Sequence, residues 1–554
     1  MNGPESKQWE AARQKEYENF QRHEAFEPTV EDTLDSWDPI KLRAKEVVNL
    51  LDVLKKKYID GVFDKLKARW VYDGAAQKRT LMQLSGISRG EAKTPLDTFA
   101  PTVRHSTHKL LCAHACLNGA APTTLSSRAY IERITPEVLP KPLSEYPAVE
   151  TPSASNLYKL YEEAVANRAD VCPSRRARYA TKVGKIMYAM PASRADCAYT
   201  IGILARCLNY PTEALELAAD RCMVYLAQHP SDGPTYSSKT AVPELIAYVD
   251  SDWQIDCSTT GYCIFYAGAV ICYGSKRQTC IALSSTEAEI MAASQAATEI
   301  MYVRGLLREM GADMSAPTVL YVDNSGAVEL SKDLKSCQRS RHIERRHLKL
   351  RELVAGGHIV VKYCPTADNC ADVLTKPLPP ADFRRHAATL FNMTGRPTDL
   401  TNATAVSKLR QRTFDVEAAY LKGVFETNET LYARPPPGYR SYVKGNVPVI
   451  WKLNVPIYGE ADAGRIWNRT LLKQLQKQGF EQSEYDPCYF WKHLADGTRM
   501  DMVMYVDDGY VVDACSKLAD AELEHLNAAF KIEIKKAHFF LGNNVHVHAR
   551  DAAP

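Results

Sequence analysis

The sequence predicts a multidomain chain combining α/β and α+β regions, and three observations carry that expectation. At 554 residues the chain is long enough for roughly three or four domains, each with its own core. From 246 to 380, short apolar runs of β pattern alternate with stretches of helical periodicity. From 119 to 245 the pattern is mostly helical, and from 413 to 554 strands and helices mix again. The composition, 45% hydrophobic and 24% charged, is that of a globular protein. A net charge of +3 announces no nucleic-acid partner, so any basic footprint must be local. The fifteen cysteines form no CxxC pair. Cys112/Cys116 and Cys257/Cys263 lack zinc spacing with nearby histidines, so they read as reduced thiols. The start, MNGPESKQWEAARQKEYENF, is polar and helical rather than a signal peptide. No apolar run reaches the ~18 residues a membrane helix needs, so no membrane partner is expected.

Taken in order, residues 1–118 mix both patterns and hold the basic stretch FDKLKARWVYDGAAQKR. In 119–245, PAVETPSASN separates two helical pieces. The run ADCAYTIGILARCLNYPTEALELAADRCMVYLAQ predicts two packed helices broken at Pro211. In 246–380, LIAYVDSDW, GYCIFYAG and AVICYG predict three consecutive antiparallel strands. STEAEIMAASQAATEIMYVRGLLREM then predicts a long helix, TVLYVDN a strand, and HIVVKYC another after a second helical region. Residues 381–412, with polar NMTGRPTDLTNAT, read as a linker.

Four acids in 246–380 stand where a nuclease needs them. Asp250 lies in YVDSDW and Glu289 in the first turns of the long helix. Asp323 ends LYVDN, and Asp372 sits in NCADVLTK, where a C-terminal helix should begin. Alone, each reads as a solvated residue or a helix cap. Together, an acid within one strand and an acid ending another imply carboxylates converging at a sheet edge. Two divalent cations about 3.5–4 Å apart need several such ligands to clamp the oxygens of a phosphodiester. Ser284 and Ser285 fit as caps of the long helix rather than nucleophiles, because no His/Asp partner set accompanies them.

This segment resembles the ribonuclease H domain of copia-type retrotransposon polyproteins. The resemblance rests on AYVDSDW, STTGYCIFYAGAVICYGSKRQ, ALSSTEAEIMAASQAATEI, LYVDNSGAVEL, RSRHIERRHLKLRE and ADVLTKPL. It implies a ribonuclease H-like mixed sheet with helices. It also implies that Asp250, Glu289, Asp323 and Asp372 are catalytic, metal-binding acids, with Asp252 an alternative to Asp250. The basic run RSRHIERRHLKLRE reads either as a grip on a hybrid backbone or as a solvated helix face. Many ribonucleases of this fold place a His shortly before the last acid, and none lies here between Tyr363 and Asp372.

A second constellation centres on MVMYVDDGYVVDA, Met502 to Ala514. Asp-Asp-Gly between apolar runs is a hairpin signal. Upstream, TFDVEAAYLKG places Asp415 after a strand-like start, and nucleotidyl transfer needs carboxylates on neighbouring strands. These stretches resemble the palm of a copia-type reverse transcriptase, with LYARPPPGY, IYGEADAGRIWNR and HFFLGNNV matching in order. The resemblance implies that Asp415, Asp507 and Asp508 are catalytic, with Asp415 and Asp507 the metal ligands. It implies too that Tyr420, otherwise a plain core tyrosine, excludes a ribose 2′-hydroxyl at the nucleotide site. Where the family reads YGLKQ, this chain reads Tyr458-Gly459-Glu460-Ala461-Asp462. An added carboxylate there repels a triphosphate unless a cation intervenes.

The order of parts departs from the family. WEAARQKEYENF, KLKARWVYDGAAQ and DTFAPTVRHSTHKLL resemble the fingers, with Lys67 and Arg69, otherwise a solvated basic strand, implied near nucleotide or template phosphates. AYIERITP and ARYATKVGKIMYAMPASRADCAYTIGILAR resemble the thumb and connection. The implied layout is fingers-like 1–118, thumb/connection-like 119–245, ribonuclease H-like 246–380, linker 381–412 and palm-like 413–554, a split right-hand polymerase. A rearranged element or exons joined from neighbouring copies explain this order ahead of a working permuted enzyme, which needs fingers and thumb to meet across a short joint near residue 120.

The function so implied is an RNA-directed DNA polymerase with a ribonuclease H that cuts RNA in RNA–DNA hybrids. The alternatives are a ribonuclease H alone with polymerase remnants, or a catalytically silent nucleic-acid-binding relic. The implied cofactor is Mg2+, two per active site, with Mn2+ as a substitute. The implied partners are an RNA template, a DNA primer, an RNA–DNA hybrid and deoxynucleoside triphosphates. The implied location is cytoplasmic, in virus-like particles, with nuclear access. No gag zinc knuckle, protease or integrase pattern is read, so the chain is expected to be a polyprotein fragment.

Overall fold

The computed structural model describes residues 6–30, 47–59, 62–72, 100–168, 171–238, 244–253, 257–332, 349–393, 408–425, 431–443 and 447–548. Among these, strands join into four principal sheets of a mixed α/β architecture.

The ribonuclease H-like sheet is contiguous in sequence. Its order is Ile359–Tyr363, Thr318–Val322, Ile246–Asp252, Thr259–Tyr266, Ala269–Arg277. The last three strands pair antiparallel, as their alternating runs predict, and the first three pair parallel. The helix Ser285–Glu309 lies across this sheet and buries an Ala-rich face (Ala292, Ala293, Ala296, Ala297) that allows close approach. Ser284 caps it: its hydroxyl accepts from the Glu287 amide at 3.1 Å, and the Glu287 carboxylate accepts from the Leu283 amide at 2.7 Å.

Two other sheets mix strands from the two ends of the chain. One runs Phe26–Val30, Val447–Leu453, Leu431–Arg434, Val47–Ile59, Val62–Tyr72. Its aromatic core stacks Phe26 on Trp451 at 3.9 Å and sets Trp70 edge-on to Tyr439 at 4.8 Å. The other runs Phe539–Phe540, Asn543–Val547, Thr123–Ser126, Thr235–Tyr236. The fourth sheet belongs to the palm-like segment: Glu481–Gln482, Tyr489–His493, Arg499–Tyr505, Asp508–Asp513, Arg410–Val416, Ile532–Lys536. Helix His105–Leu117 is apolar on most faces because it is packed on most faces. It touches the palm-like strands, the ribonuclease H-like sheet and helix Ser285–Glu309.

The helices Ala198–Arg206 and Glu213–Gln228 flank Pro211 as expected. Two expectations need correction. The linker expected at 381–412 begins as helix Pro380–Phe391, whose Phe383, Ala387, Leu390 and Phe391 are buried in the helical core, and ends in the strand that starts at Arg410. The run FRRHAATLF carries helical apolar spacing that the polar NMTGRPTDLTNAT after it obscured. Nor does a helix begin at Asp372. A short 3-10 turn, Cys370–Leu374, holds it, and the helix waits until Pro380, because Pro377 and Pro379 cannot continue one. Most of the basic run RSRHIERRHLKLRE lies outside the described residues.

Candidate functional site

Register brings the first acid set together. Ile246–Asp252 and Thr318–Val322 are parallel, with Val249 opposite Val322. Asp250 and Asp323 are therefore the next residues on each strand, at neighbouring carboxyl ends, where open α/β sheets place their ligands. The helix lays Glu289 over them, and its Oε1 accepts from the Ser251 amide at 2.9 Å. Carboxylate oxygens of Asp250, Glu289 and Asp323 lie within 4.8 Å of one another. Gly261, directly across from Asp250, leaves room for the turn behind it: a Cβ there would stand 2.6 Å from the Thr375 methyl. Asn369 Nδ2 donates to the Val249 carbonyl at 2.9 Å and ties that turn to the strand. The Thr375 hydroxyl donates to Asp250.

Asp372 is not one of the three clustered acids. It stands beside them, and Lys376 bridges the two sides, with Nζ 3.0 Å from Asp372 Oδ2 and 3.8 Å from Asp250 Oδ2. Neither Lys376 nor Thr375 was anticipated from the sequence. The signal available was the four-residue step from Asp372 to Lys376, which puts both on one side of a single turn.

Buried carboxylates this close raise one another's proton affinity. Burial first, then the charges of Asp250 and Asp323, pushes Glu289 up to about 9. Burial and Asp250 push Asp372 up to about 7 against the pull of Lys376. Burial raises Asp250 as well, opposed by Lys376 and Thr375. Burial alone would lower Lys376, but Asp250 and Asp372 outweigh it and raise its pKa. Glu289 Oε2 and Asp372 Oδ1 are buried without a hydrogen-bond partner. An oxygen-only set with buried, unpartnered oxygens fits a hard divalent cation such as Mg2+.

The second set forms on the palm-like sheet. Asp415 on Arg410–Val416 pairs directly with Asp508, and the two-residue turn Val506-Asp507 joins Arg499–Tyr505 to Asp508–Asp513. Oxygens of Asp415, Asp507 and Asp508 again lie within 4.8 Å of one another, at an open face where Asp415 is exposed. This oxygen-only set suits a hard divalent cation too. Val506 holds φ at +56°, a costly conformation for a β-branched residue. Two hydrogen bonds fix the turn: Trp467 Nε1 donates to the Val506 carbonyl at 2.7 Å, and the Val416 amide to the Asp507 carbonyl at 2.9 Å. Gly509 is needed beneath it, because a Cβ there would stand 2.2 Å from Phe414 Cζ.

Tyr420 and Arg69 adjoin this set. The Tyr420 ring is 4.9 Å from that of Tyr458, and the Arg69 guanidinium lies 4.4 Å from the Tyr458 ring centre. Burial, then the charge of Asp507, raises the Tyr420 phenol. Lys67 is exposed two residues before Arg69 on the same strand, hence on the same face. A small cleft opens between Tyr420, Gly464, Trp467 and Val506. Asp462, fully buried, is paired with Arg465 at 2.9 Å, so a cation does stand against the carboxylate that replaces the expected glutamine.

The family profile for reverse transcriptase (RNA-dependent DNA polymerase) matches residues 399–552. The chain is 32% identical over 266 residues to the retrovirus-related Pol polyprotein from transposon TNT 1-94 of Nicotiana tabacum, a match covering 47% of this chain and 19% of that protein. It is 33% identical over 210 residues to the corresponding polyprotein from transposon RE1 of Arabidopsis thaliana, covering 37% of this chain and 14% of that one. The chain thus spans under a fifth of either relative's length. Among solved structures, an RNase H1 isolated from compost aligns over 24% of this chain and 94% of its own, at 16% identity and a TM-score of 0.19. No helix among the described residues is long and apolar enough to cross a membrane.

Proposed function

Because the chain belongs to the copia-type retrotransposon Pol polyproteins, we propose that it is an RNA-directed DNA polymerase with a ribonuclease H, each activity seated on its own acid set. The observation that carries this reading is the duplication: two sets of three carboxylates, each within 4.8 Å, on two different sheets. Bound at such a set, divalent cations supply Lewis-acid stabilisation to the attacking and leaving oxygens of a phosphodiester.

The chain's own residues do the rest. Asp250, Glu289 and Asp323 hold the ribonuclease site and Asp372 borders it, with Asp250 oriented by Thr375. The hybrid's RNA strand is the substrate. Asp415, Asp507 and Asp508 hold the polymerase site on a turn braced by Trp467. Tyr420 narrows the space beside Asp507 where the sugar of an incoming deoxynucleoside triphosphate sits, and Arg69, with Lys67 further out, faces its phosphates. The template is RNA and the primer DNA. The fingers-like, thumb-like and palm-like assignments follow from the same reading. Strands from 26–72 and 123–126 share sheets with strands from 431–453 and 539–547, which supports a permuted polymerase that closes on itself.

A second reading, ribonuclease H alone with polymerase remnants, is favoured by Glu460 and Asp462, which stand where the family carries neutral residues. Single variants separate the two. Asp250→Asn is expected to lower hybrid cleavage by at least about a hundredfold, and Asp507→Asn to lower primer extension as much. An Asp250→Asn protein that cleaves hybrid at the parent rate would reject the site assignment. A parent that extends no primer would leave the second reading standing.

A further inference from the structure

The acid set on the ribonuclease H-like sheet is asymmetric. Three of its four carboxylates, Asp250, Glu289 and Asp323, bring oxygens within 4.8 Å of one another, the spacing one cation needs. The fourth, Asp372, faces an ammonium instead: Lys376 Nζ is 3.0 Å from Asp372 Oδ2 and 3.8 Å from Asp250 Oδ2. Asp250 is thus shared between the three-carboxylate side and the lysine side. The opposite oxygen of Asp372, Oδ1, is buried and lacks a hydrogen-bond partner, although the residue is only 5% exposed.

We propose that Lys376 is a resident cation on the Asp372 side of this site, so that the site accepts one divalent ion readily and a second only as Lys376 withdraws. The proposal rests on the reading of these acids as a metal-binding set. A lysine suits this role. Its charge is compact and sits on a flexible four-carbon stem, so it neutralises two carboxylates without fixing them and can swing away. The Lys376 side chain is 35% exposed, against 7% for Asp372 and 5% for Asp250, so its route out leads to solvent. Its backbone is held: the Thr375 and Lys376 amides each donate to the Asp372 carbonyl at 3.1 Å, and Pro377 follows. Movement is therefore confined to the side chain, and Asp372 stays in place to receive a second ion when the ammonium leaves. A divalent oxygen-seeking ion outcompetes a single positive charge only where it gains ligands, and Asp372 Oδ1 is the ligand in waiting.

The test is Mn2+ binding to the full chain, followed by electron paramagnetic resonance and calorimetry, with Asp507→Asn and Asp508→Asn present to silence the palm-like set. The parent is expected to bind one Mn2+ tightly and a second at least tenfold more weakly. Lys376→Met and Lys376→Gln should each tighten the second ion at least tenfold, while Lys376→Arg, which keeps the charge, should leave it weak. Equal second-ion affinity in the parent and both neutral variants, with binding still lost in Asp250→Asn, would overturn the role of Lys376 and leave the acid site intact. Mn2+ binding unaffected by Asp250→Asn would overturn the metal-site reading and the proposal with it.

Discussion

At the scale of single residues, the ribonuclease H-like acids make stability depend on pH in an unusual direction. Glu289 and Asp372 have raised folded-state pKa values, about 9 and about 7. A carboxyl raised on folding binds more protons folded than unfolded. Its contribution is full below the unfolded value near 4 and is lost as pH rises through the folded value. The metal-free protein should therefore lose thermal stability steadily between pH 5 and 9, and saturating Mg2+ should flatten that slope, as melting curves with and without chelator would record. A metal-free melting temperature that rises over this range would contradict the burial of these acids. On the palm-like side, Tyr420→Ala should relax discrimination against ribonucleotides by roughly tenfold to a hundredfold in kcat/KM, with dNTP use changed far less. Single-nucleotide incorporation kinetics measure this, and unchanged discrimination would return Tyr420 to a core role. The convergence of Asp250 with Asp323 was legible because an acid within one strand and an acid ending another imply one sheet edge; that Asp372 would stand outside the cluster was not. Nor was Lys376, since its reach to Asp250 depends on a proline-stopped turn folding back across the strand.

At the scale of elements, the strained turn is the informative one. A hairpin was legible at Asp507-Asp508-Gly509, but its turn falls earlier, at Val506-Asp507, with Asp508 and Gly509 already in the strand; the left-handed Val506 was not expected, because β-branched residues avoid that conformation. What sustains it is tertiary: Trp467 from helix Ala463–Lys477 and the flat floor at Gly509. Gly509→Ala should cost about 1–3 kcal/mol through the clash with Phe414 and should lower primer extension more than hybrid cleavage. Denaturant unfolding and the two activity assays, run on one preparation, read both effects. Equal losses in the two activities would mean that the palm-like sheet does not act separately. Helix Pro380–Phe391 teaches the opposite lesson. Its apolar spacing was present in the sequence, but it adjoins a polar stretch, and neighbouring composition outweighed local periodicity.

At the scale of the whole molecule, the sequence implied an order of parts but not how distant segments meet, since pairing between distant strands leaves no local trace. The meeting is built from specific contacts. Buried Asp486 of the palm-like segment accepts from the Thr107 hydroxyl at 2.5 Å and from the Tyr302 hydroxyl at 3.3 Å, linking helix His105–Leu117 and helix Ser285–Glu309. Ser483 donates to Glu309 at 2.5 Å beside it. Asp486→Ala strands these donors and should cost about 2–3 kcal/mol. It should also increase amide exchange in Asn543–Val547 and Thr123–Ser126 if the palm-like segment is docked. Unchanged exchange there would separate Asp486 from the docking. The most direct test of the central claim, two working metal centres in one permuted chain, is a single assay on purified protein. A primed RNA template labelled on both strands is supplied with Mg2+ and deoxynucleotides. Primer extension and RNA cleavage are expected together, with extension alone abolished by Asp507→Asn. Cleavage without extension in the parent protein would contradict the claim, leaving the palm-like segment docked but inert.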